Sequence, residues 1–367
     1  MRACLLALLV VLGACTAPAA SATPTPSATH EPGTLNVSVL LDLTGSRASL
    51  GAAQRDALQM WTDQRQNATP RVRLRTIDLA SNPSRLVIEL RRATIDEHAD
   101  AIVVGAAVDY DDTVARAVQL TQLPVLFTLP IKEPAVTAGG WGFALAPTPA
   151  KLARATLDHA ALRTPLTSAM VVSDESATAI VDRAALVAEL ARRGLVANVS
   201  KATAVDISRL RASLAGTSAA FFAGPAKPYL DAARGAGPAT LLYFSYWCEL
   251  ADIGELRETA ANATWPGSRW IAAGAASGAR VSFVRAYTDR AGPPNSPAAS
   301  AFDALSLLAN AARDGSDAAQ MRERLESSTL AGMATTYSFT ASRHAGFTLD
   351  DLAFLRYAGP RASPVLR

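Results

Sequence analysis

The sequence contains few of the residues on which metal sites and disulfide frameworks depend. Three cysteines and four histidines occur in 367 residues. Their spacing forms neither a CxxC nor an HExxH pattern, so these kinds of zinc framework and a cysteine-rich secreted scaffold are excluded. The sequence also lacks a P-loop, a G-x-S-x-G elbow and a G-x-G-x-x-G turn after a strand. We therefore predict that the protein is not an enzyme and has no catalytic residues, no metal and no cofactor.

Neither basic nor acidic residues are present in large excess. The chain has 35 basic and 32 acidic residues, and its formal net charge is +3. A nucleic-acid interface needs a concentrated basic face, so nucleic acid is not among the predicted partners. Apolar residues make up 50% of the chain, which is too many for a disordered protein. The length suggests two domain-sized cores.

The N-terminus has the pattern of a secretory signal. Arg2 precedes the apolar run Leu5–Leu12, which is too short for a membrane-spanning helix of about 20 residues. The following Leu12-Gly13-Ala14-Cys15 resembles the lipobox of bacterial lipoproteins. That resemblance implies that residues 1–14 are a lipoprotein signal peptide and that Cys15 is the site of lipidation. The alternative is an ordinary signal peptide that contains a cysteine.

A stretch rich in Ala, Ser, Thr and Pro follows, over residues 15–33. Such a composition cannot form a core and is typical of an extended tether. We therefore expect the protein to lie at the extracytoplasmic face of the cell membrane, held there by the lipid on Cys15. Cys4 would leave with the signal peptide and Cys15 would be acylated, so Cys248 would have no partner and the mature chain no disulfide.

Short apolar runs alternate with helical patterns through the rest of the chain. A first series contains the runs Leu35–Leu41, Ala101–Val104 and Val125–Thr128, and a second begins after Pro149. This alternation predicts an α/β fold with parallel sheets covered on both faces. In the second series we predict one helix whose apolar side consists of Ile180, Ala184, Val187 and Ala191.

The sequence resembles a known family over about Leu35–Tyr357. Val39–Gly51 is similar to the opening of type I periplasmic binding proteins of the branched-chain-amino-acid receptor-like (Leu/Ile/Val-binding) group, the substrate-binding lipoproteins of ABC importers. Agreeing segments are Pro124–Leu126, Phe143–Thr148, Asp206–Leu210, Ala301–Ala304 and Tyr337–Leu352.

The resemblance implies two doubly wound parallel-sheet lobes joined by a three-crossover hinge. The first lobe would contain residues 35–146 plus 275–332, and the second 147–274 plus 333–367. The expected function is extracytoplasmic capture of a small polar solute of amino-acid, amide or amine type by hinged lobe closure, with ABC permease and ATPase subunits as partners. The alternative is a degenerate member that acts as an extracellular sensor or interaction module without transport.

In open α/β sheets, ligands bind beyond the carboxyl ends of the strands. The loops expected there, together with the family resemblance, give the following predicted ligand-binding residues: Thr44, Gly45, Ser46, Asp109, Tyr110, Thr128, Pro130, Lys132, Thr178, Tyr243, Ser245 and Tyr246.

One departure from the family bears on the ligand. Asp109 stands where amino-acid-binding relatives have a carboxylate-binding serine, so the usual α-carboxylate contact is in doubt. Acidic groups with aromatic faces nearby bind cations, and Tyr110, Tyr243, Tyr246 and Trp247 could supply those faces. We therefore also consider a ligand with an amine or quaternary ammonium group. The competing interpretation is that Tyr243 and Trp247 are core residues.

Overall fold

The first half of the chain forms a five-stranded parallel sheet. The computed structural model describes residues 33–134, 140–201, 207–224, 229–234, 236, 239–249, 263–315, 317–358 and 364–366. The strands of the first sheet are β1 (Thr34–Leu41), β2 (Arg71–Asp78), β3 (Ala101–Val104), β4 (Val125–Phe127) and β5 (Gly142–Ala144). Their order is β2-β1-β3-β4-β5, and every pair is parallel. This order places the switch point of the sheet between β1 and β3, whose carboxyl ends open onto the site described below.

Helices cover both faces of this sheet. The helices between the strands are α1 (Ala48–Gln64), α2 (Arg85–Ile95) and α3 (Asp112–Thr121), and those from later in the chain are α8 (Ala279–Ala291), α9 (Ser296–Ala311) and α10 (Ala318–Ser327). On α1 the residues Leu50, Ala57, Leu58 and Trp61 are buried. Ala57, Leu58 and Trp61 form one core with α9 and the first sheet.

The second sheet has seven strands in the order β14-β13-β10-β9-β8-β6-β7. These are β6 (Ala169–Ser173), β7 (Ala197–Lys201), β8 (Ala219–Ala223), β9 (Leu241–Phe244), β10 (Ala263–Ser268), β13 (Leu352–Tyr357) and β14 (Pro364–Leu366). β6 to β10 are parallel, and β13 and β14 are added antiparallel. Its helices are α4 (Pro149–Ala161), α5 (Ala177–Arg192), α6 (Ile207–Leu214) and α7 (Leu230–Ala233). The predicted fold of two parallel-sheet lobes is confirmed.

The chain passes between the two sheets three times, after β5, after β10 and after β12. β11 (Thr329–Ala331) and β12 (Thr336–Ser338) form a separate two-stranded sheet. Tyr337 and Phe339 pack in the core of the first sheet. These two residues and Ala345 follow the predicted lobe boundary at residue 332 and pack on the first sheet, and the lobe boundaries stay a prediction.

Hydrogen bonds and an ion pair connect the chain segments near these crossings. The backbone N–H of Ser268 donates to Ser296 Oγ at 2.9 Å. Arg280 forms a two-bond ion pair with Asp351, at 2.8 and 2.9 Å. The backbone N–H groups of Met333 and Ala334 donate to the carboxyl of Asp303 on α9, at 2.7 and 2.8 Å. We refer to these residues, which lie close to the points where the chain crosses between the two sheets, as the hinge region.

Helix α5 buries a different face from the one predicted. Its buried stripe is Thr178, Asp182, Leu186 and Leu190, at intervals of four residues. The predicted apolar side faces outward instead, with Ile180 42% exposed and Ala184 exposed. The prediction was wrong because α5 is rich in alanine, so its apolar pattern is weak, and an aspartate occupies one position of the true buried stripe.

The N-terminal predictions fall outside the described residues. The signal peptide, Cys15 and the tether up to residue 32 belong to this part of the chain. Pro32–Arg367 form one compact unit that contains all the core clusters of the described residues. Among the described residues, none of the helices combines the length and the apolar character that crossing a membrane requires.

Candidate functional site

A small cavity lies where the carboxyl ends of the first sheet meet α5 and the loop after β9. Its volume is about 10 Å³, which is room for about one water molecule. Both lobes line it. The lining residues are Val108, Asp109, Tyr110, Pro130, Ile131, Lys132, Pro149, Thr178, Val181, Asp182 and Trp247. Five of the twelve predicted ligand-binding residues are among them, namely Asp109, Tyr110, Pro130, Lys132 and Thr178.

The first-lobe side of this cavity is fixed by a buried glutamine. Gln54 on α1 donates from Nε2 to the carbonyl of Gly105, at 2.7 Å, and accepts from the hydroxyl of Thr128. Gly105 is required here, because a Cβ would clash with the Gln54 amide. One side chain thereby joins α1 to the ends of β3 and β4. The Thr128 hydroxyl is used in this bond and the residue is fully buried.

The loop after β3 is held by a second buried polar group. The carboxyl of Asp42, at the end of β1, accepts from the N–H groups of Ser81 at 3.0 Å and Ala107 at 3.4 Å. Burial raises the pKa of Asp42. Arg47 donates to the carbonyl of Ala107 at 3.2 Å. The loop that carries Val108 and Asp109 is therefore positioned from β1 and α1.

Asp109 and Lys132 form an ion pair within the cavity wall. The Lys132 Nζ lies 3.3 Å from Asp109 Oδ1, and the side chains are 57% and 42% exposed. The family resemblance put a carboxylate-binding group at Asp109, and here its negative charge faces an ammonium from the neighbouring loop. The two charges offset each other, so this pair adds no net charge to the cavity.

Trp247 brings the second lobe into contact with the first. It lies in the turn after β9 and packs against Leu50, Ala107 and Leu129 of the first lobe. Burial of a large aromatic side chain is strongly favourable. This contact is therefore a substantial part of the apolar closure between the lobes.

Asp182 is the buried charge of the second-lobe side. It is 7% exposed, and Oδ2 accepts from the N–H of Gly224 at 3.2 Å. Burial raises the pKa of Asp182 to about 7, against the lowering effect of the Gly224 N–H and the side chains of Ser245 and Trp247. Asp182 was not predicted as a site residue. The signal that could have found it is an acidic residue four positions after Thr178 and four before Leu186.

Gly224 is the position that allows this contact. Its φ of 85° is left-handed, and a Cβ there would lie 2.7 Å from Cβ of Ala179. Glycine therefore lets the end of β8 approach the first turns of α5, which directs its N–H at Asp182. Ser245 supports the same turn, because its hydroxyl donates to the Gly224 carbonyl at 2.7 Å.

The predicted tyrosines belong mainly to the core. Tyr110 lines the cavity, but its ring packs edge-on to Phe127 with centroids 5.3 Å apart. Tyr243 stacks on Phe221 and hydrogen bonds to Nδ1 of His159 at 2.9 Å. Tyr246 packs in an apolar cluster with Leu152, Phe347 and Leu352. Phe221 therefore covers one face of the Tyr243 ring, whereas the contact of Tyr110 with Phe127 is perpendicular, and a cation site at these rings stays a prediction.

The remaining predicted residues lie near the rim of the first lobe or in a neighbouring cavity. Thr44 donates from Oγ1 to Asp78 at 2.6 Å, and Gly45 and Ser46 are exposed in the same turn. Tyr243, Ser245 and Tyr246 line a second cavity of about 30 Å³ between α4, α5 and the second sheet. Asp182 lines both cavities. As ligand contacts, all twelve residues remain predictions.

The described residues contain no cluster of three or more His, Cys, Asp or Glu side chains suited to a metal ion.

A sequence profile described as periplasmic binding protein matches residues 34–358. The chain belongs to the periplasmic binding protein family. Its two parallel-sheet lobes match the fold of type I periplasmic binding protein structures. No curated protein matches the sequence closely.

Solved structures with the same fold are distant in sequence. LivK, a leucine-binding protein from Thermotoga maritima, has a TM-score of 0.75 at 15% identity, covering 91% of this chain and 97% of LivK. LivJ from Streptococcus pneumoniae, in complex with isoleucine, has a TM-score of 0.74 at 14% identity, with 91% and 99% coverage. A solute-binding protein of an ABC transporter from Rhodopseudomonas palustris, in complex with 3,4-dihydroxybenzoic acid, has a TM-score of 0.73 at 13% identity, with 91% and 96% coverage.

Proposed function

We propose that this protein captures a small polar solute by closing its two lobes and delivers it to an ABC permease. The observation that carries the proposal is the cavity to which the ends of β3 and β4 contribute from one lobe, and α5 and Trp247 from the other. Because residues of both lobes form the site, its affinity for a solute changes when the lobes move relative to each other.

The size of the cavity supports a hinged mechanism. A drug-sized ligand needs a pocket of about 300–1,000 Å³, whereas this cavity measures about 10 Å³. A solute can therefore enter only if the lobes separate and then close on it. Such an opening would break the apolar contact of Trp247 with Leu50, Ala107 and Leu129.

The structural neighbours support this mode of capture and leave the solute open. Isoleucine and 3,4-dihydroxybenzoic acid are bound by two of them, and the two compounds share little beyond a carboxylate. In this chain Lys132 offsets the charge of Asp109, and Asp182, which also lines the cavity, would repel a carboxylate when ionised.

Solute capture can be tested on residues 32–367, which form one compact unit. Thermal unfolding in a library of amino acids, amides and amines identifies binders, since a ligand at about 100 times its Kd adds about 2.7 kcal/mol to the free energy of unfolding. Small-angle scattering should then show a smaller radius of gyration with the binder. If no solute raises the melting temperature and the scattering curve never changes, the proposal is wrong.

We also propose that the mature chain is anchored by a lipid on Cys15, on the strength of the sequence Leu12-Gly13-Ala14-Cys15 alone. In a bacterial host the full chain should enter the membrane fraction, and mass spectrometry should find a diacylglyceryl cysteine at the new N-terminus. Cys15→Ser should abolish both, and Cys248→Ser is the matched control that should leave both intact. A wild-type chain that is secreted without lipid would indicate an ordinary signal peptide instead.

A further inference from the structure

Asp182 has a buried carboxyl group, and no positively charged group pairs with it within the described part of the chain. The groups that act on its carboxyl are the N–H of Gly224 and the side chains of Ser245 and Trp247. All three are neutral. Burial of an unpaired carboxylate costs several kcal/mol, so a position of this kind in a core stripe is unfavourable for stability.

The other carboxylate of the cavity is already paired. Asp109 faces Lys132 at 3.3 Å, and both side chains are half-exposed to solvent. The net charge of the cavity is therefore the charge of Asp182. The rest of the wall near it is apolar, with Val108, Pro130 and Ile131 across from Val181.

We infer that Asp182 is the anchor for a positively charged nitrogen of the solute, and that the solute is an organic amine or quaternary ammonium compound with a small apolar body. This inference rests on the proposed function of solute capture. An ammonium beside Asp182 would form a charge-assisted hydrogen bond where the chain itself supplies only neutral donors. Trp247 lines the same cavity, and its indole is the side chain with the strongest cation–π attraction.

The inference makes binding depend on pH. The raised pKa of Asp182, about 7, means that the carboxyl is half protonated at pH 7. The ionised form binds the cation, so amine affinity should rise about tenfold from pH 6 to pH 8. Other titratable groups lie near Asp182. Around its own helix they are Glu175 and Arg183, and elsewhere in the second lobe they are Tyr229, Tyr246 and Tyr243 with its partner His159. Across the cavity they are Asp109, Tyr110 and Lys132.

Three probes with the same branched carbon chain separate the charge requirements. These are 3-methylbutylamine, L-leucine and 4-methylpentanoate, with choline as a quaternary ammonium. Titration calorimetry on residues 32–367 should show binding of 3-methylbutylamine or choline, and no binding of 4-methylpentanoate. At pH 7, binding of the amine should release about half a proton from Asp182. Titrations repeated in buffers of different ionisation enthalpy measure this release.

Asp182→Asn is the decisive variant, because the amide keeps the shape of the side chain and removes only its charge. It should lose about thirtyfold or more in amine affinity and lose the pH dependence. Its unfolding curve shows separately that it folds. Asp158→Asn, on the surface of α4 and 60% exposed, is the matched control and should bind as the wild type does.

The outcomes distinguish this inference from the proposed function. If 4-methylpentanoate or a neutral solute binds and closes the lobes while the amines do not, solute capture stands and the inference is wrong. Unchanged amine affinity in Asp182→Asn, or amine affinity that falls between pH 6 and pH 8, also overturns it. If no solute of any charge binds, the proposed function fails and the inference fails with it.

Discussion

Asp182 and Asp303 are two buried aspartates with opposite surroundings. Burial raises the pKa of each to about 7. Asp303, at the hinge, accepts two short hydrogen bonds from the backbone of Met333 and Ala334, and Arg280 lowers its pKa from nearby. Asp182, in the cleft, accepts one backbone bond of 3.2 Å and lines two cavities.

The difference distinguishes a structural carboxylate from a binding one. Asp303 satisfies backbone N–H groups that would otherwise be buried without an acceptor, and Gly332 approaches so closely that a Cβ would meet the Asp303 carboxyl at about 2.5 Å. Its partners belong to the fold. Asp182 lines two cavities instead, so its surroundings contain space that the fold does not fill.

Removal of each carboxyl should give the largest contrast. Asp303→Ala leaves the N–H groups of Met333 and Ala334 without an acceptor, at about 1–3 kcal/mol for each. We expect its free energy of unfolding to fall by about 3–4 kcal/mol in urea titrations. Asp182→Ala should cost less than about 1 kcal/mol, because it also removes a buried charge. Equal losses in the two variants would contradict the comparison.

The pH dependence of stability should reveal both carboxyls. A folded pKa of about 7 lies above the unfolded value of about 3.9, so the folded state binds the proton more tightly between these values. The free energy of unfolding should therefore fall as pH rises from about 4 to 7, by about 1.4 kcal/mol per pH unit for each group. Burial lowers the pKa of His344, which opposes this trend below about pH 6.5.

The variant Asp182→Asn isolates the contribution of Asp182 to the pH dependence of stability. The stability of this variant relative to wild type should increase from pH 5 to pH 7 and then level off, as urea titrations at several pH values would show. For Asp303→Asn the stability relative to wild type should increase with pH at the same rate. It should also be lower by a constant amount at every pH, because hydrogen bonds to the backbone are lost. A constant difference between Asp182→Asn and wild type would show that Asp182 does not titrate in this range.

Removal of the Lys132 charge should have a smaller effect than the substitutions of Asp182 and Asp303, and it should change amine binding through the cleft carboxylates only. Lys132→Met removes the positive charge beside Asp109, so the cavity becomes more negative. We expect about threefold tighter binding of 3-methylbutylamine by calorimetry, a modest effect because the pair is half-exposed and screened by salt. Arg193→Met, which removes a charge at the far end of α5, is the control. Weaker amine binding in Lys132→Met would argue for a solute carboxylate at Lys132.

The smallest expected change concerns Trp247. The indole N–H lowers the pKa of Asp182. Trp247→Phe removes this N–H and keeps an aromatic ring against the first lobe, so it should raise that pKa slightly. The midpoint of the pH dependence of amine binding should move upward by this amount. The midpoint that stability titrations assign to Asp303 should not move, and if both shift, the effect comes from general destabilisation.

Much of the fold was predictable from the sequence, and much less of the site. The strands Leu35–Leu41 and Ala101–Val104 are recognisable because parallel strands buried on both faces require continuous apolar runs. Of the residues predicted at the strand ends, Asp109, Pro130, Lys132 and Thr178 line the cavity between the lobes, and their role as ligand contacts stays a prediction. The side-chain directions within the loops and on α5 were not predictable, because they depend on neighbours distant in the chain.

The sequence by itself determined the alternating α/β architecture, the family resemblance and the polar loops at the strand ends, because these follow from local apolar periodicity and turn residues. Only the tertiary structure decided which face of α5 is buried, since an alanine-rich helix packs on either side at similar cost. It also decided that Tyr243 belongs to the core and that Lys132 offsets Asp109. Asp182 is left as the one cavity carboxyl without a cation among the described residues, because a charge is paired or unpaired only once distant segments are brought together.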